Sequence, residues 1–169
     1  MDQNTEKKVE FKDKLKLFFI EQKFKIILFF SAFFLVLIIF SVMKINQDRQ
    51  NIIISEKFIK ANIYLSSENK EKSKKILEEI IKSKNKFYSI LALNTILEKE
   101  LEKNEEKIIN YFDTLQNVSI PPEQKDLLTL KKALYLLQIS KTKEGKNLLK
   151  KLSNSDSYLK KISDQILQN

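Results

Sequence analysis

A chain of 169 residues with one glycine, two prolines and no cysteine or histidine excludes a disulfide framework, a thiolate or imidazole metal site and a histidine base. So few turn formers argue against a β-sandwich or a nucleotide-binding α/β fold, and for helices joined by short polar turns. The net charge of +9 does not imply nucleic acid, because the lysines are dispersed among glutamates rather than gathered into one stripe with stacking aromatics.

The first element is decisive. Ile26 to Met43 is an uncharged run fenced by Lys25 and Lys44, and as a helix it rises about 27 Å, close to the thickness of a bilayer's hydrocarbon core. Its Leu, Ile, Val and Phe side chains sum to an insertion free energy on the order of −5 kcal/mol. A cleaved signal peptide would carry a shorter apolar core ending in a small-x-small site, and Ser41-Val42-Met43-Lys44-Ile45 offers none. The lysines before the run (Lys7, Lys8, Lys12, Lys14, Lys16, Lys23, Lys25) outweigh Lys44, Arg49, Lys57 and Lys60 after it. That bias predicts a cytoplasmic N-terminus and an exported C-terminal part. The expected organisation is therefore a cytoplasmic tail over 1–25, a single transmembrane helix over 26–45 and a periplasmic domain over 46–169.

Beyond the span, apolar residues recur at the helical period. The first helix is expected to continue to Ser66-Ser67 and a second to cover Lys70 to Ser83. A third is expected over Lys86 to Lys103, and a fourth from the N-cap Asn104, with Glu105-Glu106 in its first turn, to near Asn117. Pro121-Pro122 breaks the chain and starts a fifth helix running to about Ser140. A sixth is expected over Lys143 to Leu152 and a last over Asp156 to Leu167.

The helices pair, and the pairs resemble one another. Ser73-Leu77-Ile80, Ile108-Phe112-Leu115 and Gly145-Leu149-Leu152 repeat one pattern, while Ala61, Ala92 and Ala133 mark the preceding helix of each pair. Small residues let two antiparallel helices approach closely, so the pattern predicts an all-α fold: an array of tetratricopeptide-like hairpins, an α-solenoid. A plain helical bundle shares the same periodicity and stays open at this point.

Candidate chemistry is sparse. The carboxylates Glu78-Glu79, Glu98, Glu100, Glu102 and Glu105-Glu106 read as a solvated face stitched by weak ion pairs. Gly145-Lys146 lacks the rest of a phosphate loop. The expectation is a non-enzymatic chain with no cofactor and no metal. What remains is surface. Counted from the three alanines, a partner groove would present Phe58, Asn62, Ser89, Leu93, Leu130 and Leu134. Asn62 and Ser89 stand out, because a core does not want an amide or a hydroxyl. Tyr64, Tyr88 and Tyr111 are expected to bury their rings and offer hydroxyls at the rim.

The layout resembles a known family: the single-pass, tetratricopeptide-like inner-membrane proteins of Gram-negative bacteria that serve as ancillary subunits of the Sec translocon. The resemblance rests on the leader Glu10-Phe11-Lys12-Asp13-Lys14-Leu15-Lys16, the span and the long helix after it. It also rests on Phe87-Tyr88-Ser89-Ile90-Leu91-Ala92-Leu93 and on Ile120-Pro121-Pro122-Glu123-Gln124. It implies an adaptor in contact with the export channel and with periplasmic chaperones or exported clients, held in the lipid bilayer by one helix. It carries over no catalytic residue. The chain is shorter than such proteins, with a single helix after Leu152. A self-associating envelope scaffold is the alternative.

Overall fold

The computed structural model describes residues 22–168. The leader Glu10–Lys16 and the lysines before Lys23 lie outside the described residues. Seven α-helices and no strand occur among those described: α1 (Lys23–Ser66), α2 (Lys70–Lys82), α3 (Tyr88–Glu98), α4 (Glu105–Gln116), α5 (Pro122–Gln138), α6 (Thr142–Ser153) and α7 (Lys160–Gln168). The chain divides into two compact units, Met1–Gln50 and Asn51–Asn169.

In the first unit α1 is long and apolar enough to cross a membrane. Its most apolar window has a mean hydropathy of 3.0, and none of that window is buried against protein. Phe30, Phe34, Ile38 and Phe40 all stand exposed. A helix apolar on every side has no use for water.

In the second unit α2 packs on α3 and α4, α3 on α4, α4 on α5, α5 on α6 and α6 on α7. The C-terminal part of α1 joins through Lys57 to Glu79 at 2.9 Å, Asn51 to Asn85 at 2.7 Å and the Phe58 ring 5.8 Å from that of Tyr88. Ala61, Ser73, Ala92 and Ala133 are wholly buried, as are Leu77, Ile80, Phe112 and Leu149. Ser73 is there for its size: its buried hydroxyl has no hydrogen-bond partner. Buried residues form two clusters. The larger runs from Ile54 to Leu128, and the smaller joins Leu130, Ala133, Leu149, Leu152 and Leu159.

Helix ends explain where the element bounds differ from expectation. The third helix stops at Glu98, not Lys103, because Glu100 takes a left-handed φ of 49°. The amides of Glu100 and Leu101 then close back on the carbonyls of Leu97 and Ile96, the hydrogen-bond pattern that ends a helix around a left-handed residue. Ser140 (φ 64°) ends α5 the same way, with its amide on Leu137 O and that of Lys141 on Leu136 O. The last helix starts at Lys160 rather than Asp156, because Ser157 turns the chain by accepting from the amides of Leu159 and Lys160. Asn104 caps α4 as expected, its side-chain oxygen accepting from the Lys107 amide at 3.1 Å.

The tightest approach is at Gly145 on α6. A Cβ there would lie 2.9 Å from Ala133 O and from Leu137 Cγ and Cδ2. Leu137 can give way, whereas the backbone oxygen cannot without moving α5. Alanine at this site gains about 1 kcal/mol of helix propensity but meets an overpacking cost of about 1–3 kcal/mol. G145A is therefore expected to destabilise the unit by up to about 2 kcal/mol in urea unfolding, whereas alanine at an open helical glycine would stabilise.

Candidate functional site

Two surface concavities of the second unit lie between α3 and α5. One cavity of about 200 Å³ is lined by Lys86, Phe87, Ile90 and Leu91 at the start of α3 and by Gln124, Leu127 and Leu128 at the start of α5. Its lining is mostly apolar, and Phe87 and Leu127 stand 60% and 41% exposed at its mouth. A second, wider cavity of about 510 Å³ lies further along the same two helices, between Leu97 and Glu98 on one side and Leu134, Tyr135 and Gln138 on the other. Asn94 and Lys131 line both cavities, and the Lys131 ammonium donates to Asn94 Oδ1 at 2.7 Å. The two cavities thus form one groove with a polar waist.

The α3–α4 turn closes the far end. Here Glu102 departs from the sequence reading: it is a buried carboxylate, not part of a solvated face. One oxygen accepts from the amides of Lys103 and Asn104, both at 2.9 Å. The other meets Lys74 Nζ at 3.0 Å and Lys107 Nζ at 3.3 Å. Burial alone would raise its pKa. The Asn104 amide, the two ammonium groups and the Lys103 amide outweigh that and bring it down to about 2. Glu78 is also engaged, accepting from the Tyr111 hydroxyl at 2.6 Å. Burial, then that bond, push the Tyr111 phenol upward.

The six residues expected to face a partner separate. Ser89 is fully buried, and its hydroxyl donates to Ile80 O at 2.7 Å, serving a carbonyl at the C-terminal end of α2. Leu93 is buried in the larger cluster and Leu130 in the smaller. Phe58 is half-buried against the Tyr88 ring. Asn62 is half-buried too, and its amide donates to Phe58 O on its own helix at 2.9 Å. Leu134 is 43% exposed and lines the wider cavity. Among the three tyrosines, Tyr64 carries the Lys72 ammonium over its ring face at 5.5 Å.

Phe87, Asn94, Leu127 and Lys131, which do line the groove, were not singled out by counting from the alanines. The usable signal was polar interruption. Asn94 breaks the apolar run of α3 two residues after Ala92, and Lys131 breaks that of α5 two before Ala133. No group of three or more carboxylates placed to hold a metal ion occurs among the described residues.

Comparisons of the chain with family models, with curated proteins and with solved structures find no match. The functional reading therefore rests on the groove itself.

Two outcomes follow from these contacts. S89A removes one of three donors to the Ile80 carbonyl, which keeps the Ser83 hydroxyl at 2.6 Å and the Ser83 amide at 3.2 Å, so it is expected to cost no more than about 1 kcal/mol, read as a slightly lowered thermal midpoint. For Glu102 the folded pKa of about 2 lies below the ordinary 4.5, so its stabilisation is complete above pH 4.5 and fades as pH falls toward 2. Because the Lys107 side chain is 55% exposed, solvent screens part of the effect, and E102Q is expected to cost about 1–3 kcal/mol at neutral pH. Unfolding free energy measured from pH 6 to pH 2 should fall less steeply in E102Q than in the parent.

Proposed function

We propose that this chain is a non-enzymatic membrane-anchored adaptor. α1 crosses the inner membrane once with the N-terminus in the cytoplasm, and the helical unit faces the periplasm. There it forms a tetratricopeptide-like array that binds protein partners, the Sec translocon together with periplasmic chaperones or exported clients. The observation that carries the reading is the α3–α5 groove, where Phe87 and Leu127 stay exposed beside an open cavity. Large apolar side chains around a concavity are the usual mark of a binding surface. Three further features support the array. Packing follows chain order, with the additional contact of α2 on α4. The small residues Ala61, Ala92 and Ala133 recur on the first helix of each pair, all fully buried. In stacked hairpins the first helices line a common groove, and α3 and α5 both contribute to the lining here. The partner identities come from the resemblance in layout to the translocon-associated family.

One observation favours the second reading, a self-associating scaffold. Ile52, Ile59 and Ile63 stand 58%, 59% and 59% exposed on α1, at spacings of seven and four that place them on one helical face.

Photo-crosslinking in intact cells tests the two. With the crosslinker at Phe87 or Leu127, adducts to translocon subunits or exported chains are expected, with none at Lys75 on the exposed surface of α2. Adducts only between copies of this chain, strongest at Ile59, would decide for the scaffold. A reporter fused after Asn169 that is active in the cytoplasm would remove the export reading.

A further inference from the structure

The waist of the groove has an unbalanced charge. Lys131 is half-buried, and its ammonium has the neutral Asn94 amide oxygen as its hydrogen-bond acceptor. Lys57, Lys74, Lys107 and Lys132 each meet a carboxylate instead. A partly desolvated cation with no carboxylate within ion-pair distance is where an incoming anion gains most, because the lower dielectric strengthens the pair and an ammonium–carboxylate hydrogen bond is charge-assisted. The apolar cavity beside it has no carboxylate in its lining, and Lys86 adds a second positive charge at its mouth. Beyond Lys131 the sign reverses: Glu98, Glu100 and Glu105 line the wider cavity, with Lys103 and the lysine-paired Glu102 among them.

We infer that the groove selects an internal acidic side chain of an extended polypeptide, seated on Lys131 with a large apolar neighbour in the cavity lined by Phe87, Ile90, Leu91 and Leu127. This deepens the reading of the groove as a peptide site and rests on it. The change of sign along the groove fixes the order of the bound segment as apolar, acidic, then basic. A polyanion, such as a nucleic acid or a stretch of acidic headgroups, would carry like charge into the glutamate-lined half and is disfavoured there. A terminal carboxylate would end the chain at the waist and leave the wider cavity empty, whereas an internal residue lets the chain continue through it.

The test uses the full-length chain in nanodiscs of zwitterionic lipid and a short fluorescent peptide blocked at both ends. The peptide carries a Phe-Leu-Glu core followed by two lysines, and binding is read by anisotropy. Replacing its Glu with Gln is expected to weaken binding about tenfold, and K131Q should produce the same loss with the original peptide. K131E should prefer a Glu→Lys peptide over the original, a reversal that a misfolded protein cannot give. Equal binding of the Glu and Gln peptides, or an unchanged preference in K131E, would overturn acid selection and leave the groove standing as a peptide site. Tighter binding of a peptide cut so that its own free terminus replaces the Glu would overturn the internal-residue assignment. If neither this peptide nor a mixed-sequence peptide pool binds, the peptide-site reading falls together with the inference.

Discussion

Two helices can come to backbone contact only where nothing projects between them, and this chain uses its single glycine at such a place. Gly145 lies against the Ala133 carbonyl with no room for a Cβ, and the other small residues of the repeat, Ala61, Ser73 and Ala92, are fully buried. Close approach brings the larger neighbours (Leu77, Ile80, Phe112, Leu149) into contact with the adjoining helices, where their burial supplies the stabilisation. The groove depends on the same constraint. It is a space between helices whose spacing and tilt are set elsewhere along their length, so its walls are positioned by small residues, Gly145 and Ala133 among them, that do not line it.

Much of this was legible. The uncharged run, the periodicity and the spaced small residues each report one physical need: an apolar solvent, a buried stripe and a close crossing. Six helix-forming segments beyond the run were placed within a few residues, as were the Asn104 cap and the proline start of α5. What escaped was decided by three-dimensional context. The end of α3 depends on Glu100 accepting a left-handed backbone and on Glu102 turning inward to two ammonium groups and two amides. A stretch rich in Glu and Lys gives no hint of this, because charges of that kind usually point outward.

The candidate site was less legible than the fold. Counting from the alanines gives a face of each helix, but the register of the groove depends on how neighbouring helices are rotated. Ser89, Leu93 and Leu130, at positions three before or one after an alanine, turned toward the core, whereas Leu134, one after Ala133, stayed at the groove. The groove instead took Ile90, Leu91 and Asn94 on α3 and Leu127, Lys131 and Leu134 on α5. Ser89 is buried despite its hydroxyl for a specific reason. That hydroxyl found an acceptor, joining the Ser83 hydroxyl and amide on the Ile80 carbonyl near the end of α2.

The division of the apolar interior bears on motion. α5 is shared: Leu128 and Tyr135 belong with the larger cluster, while Leu130, Ala133 and Leu137 belong with the smaller. Separating α6 and α7 from α5 would forfeit the burial of Leu149, Leu152 and Leu159, at roughly 1.5–3 kcal/mol for each side chain, without opening the larger cluster. That loss is the larger one, because α5 and α6 are the most extensively paired helices of the unit, whereas α4 and α5 touch far less. The α4–α5 seam is the weaker boundary. Because α5 is one wall of the groove, the width of the groove is tied to how firmly that seam stays shut.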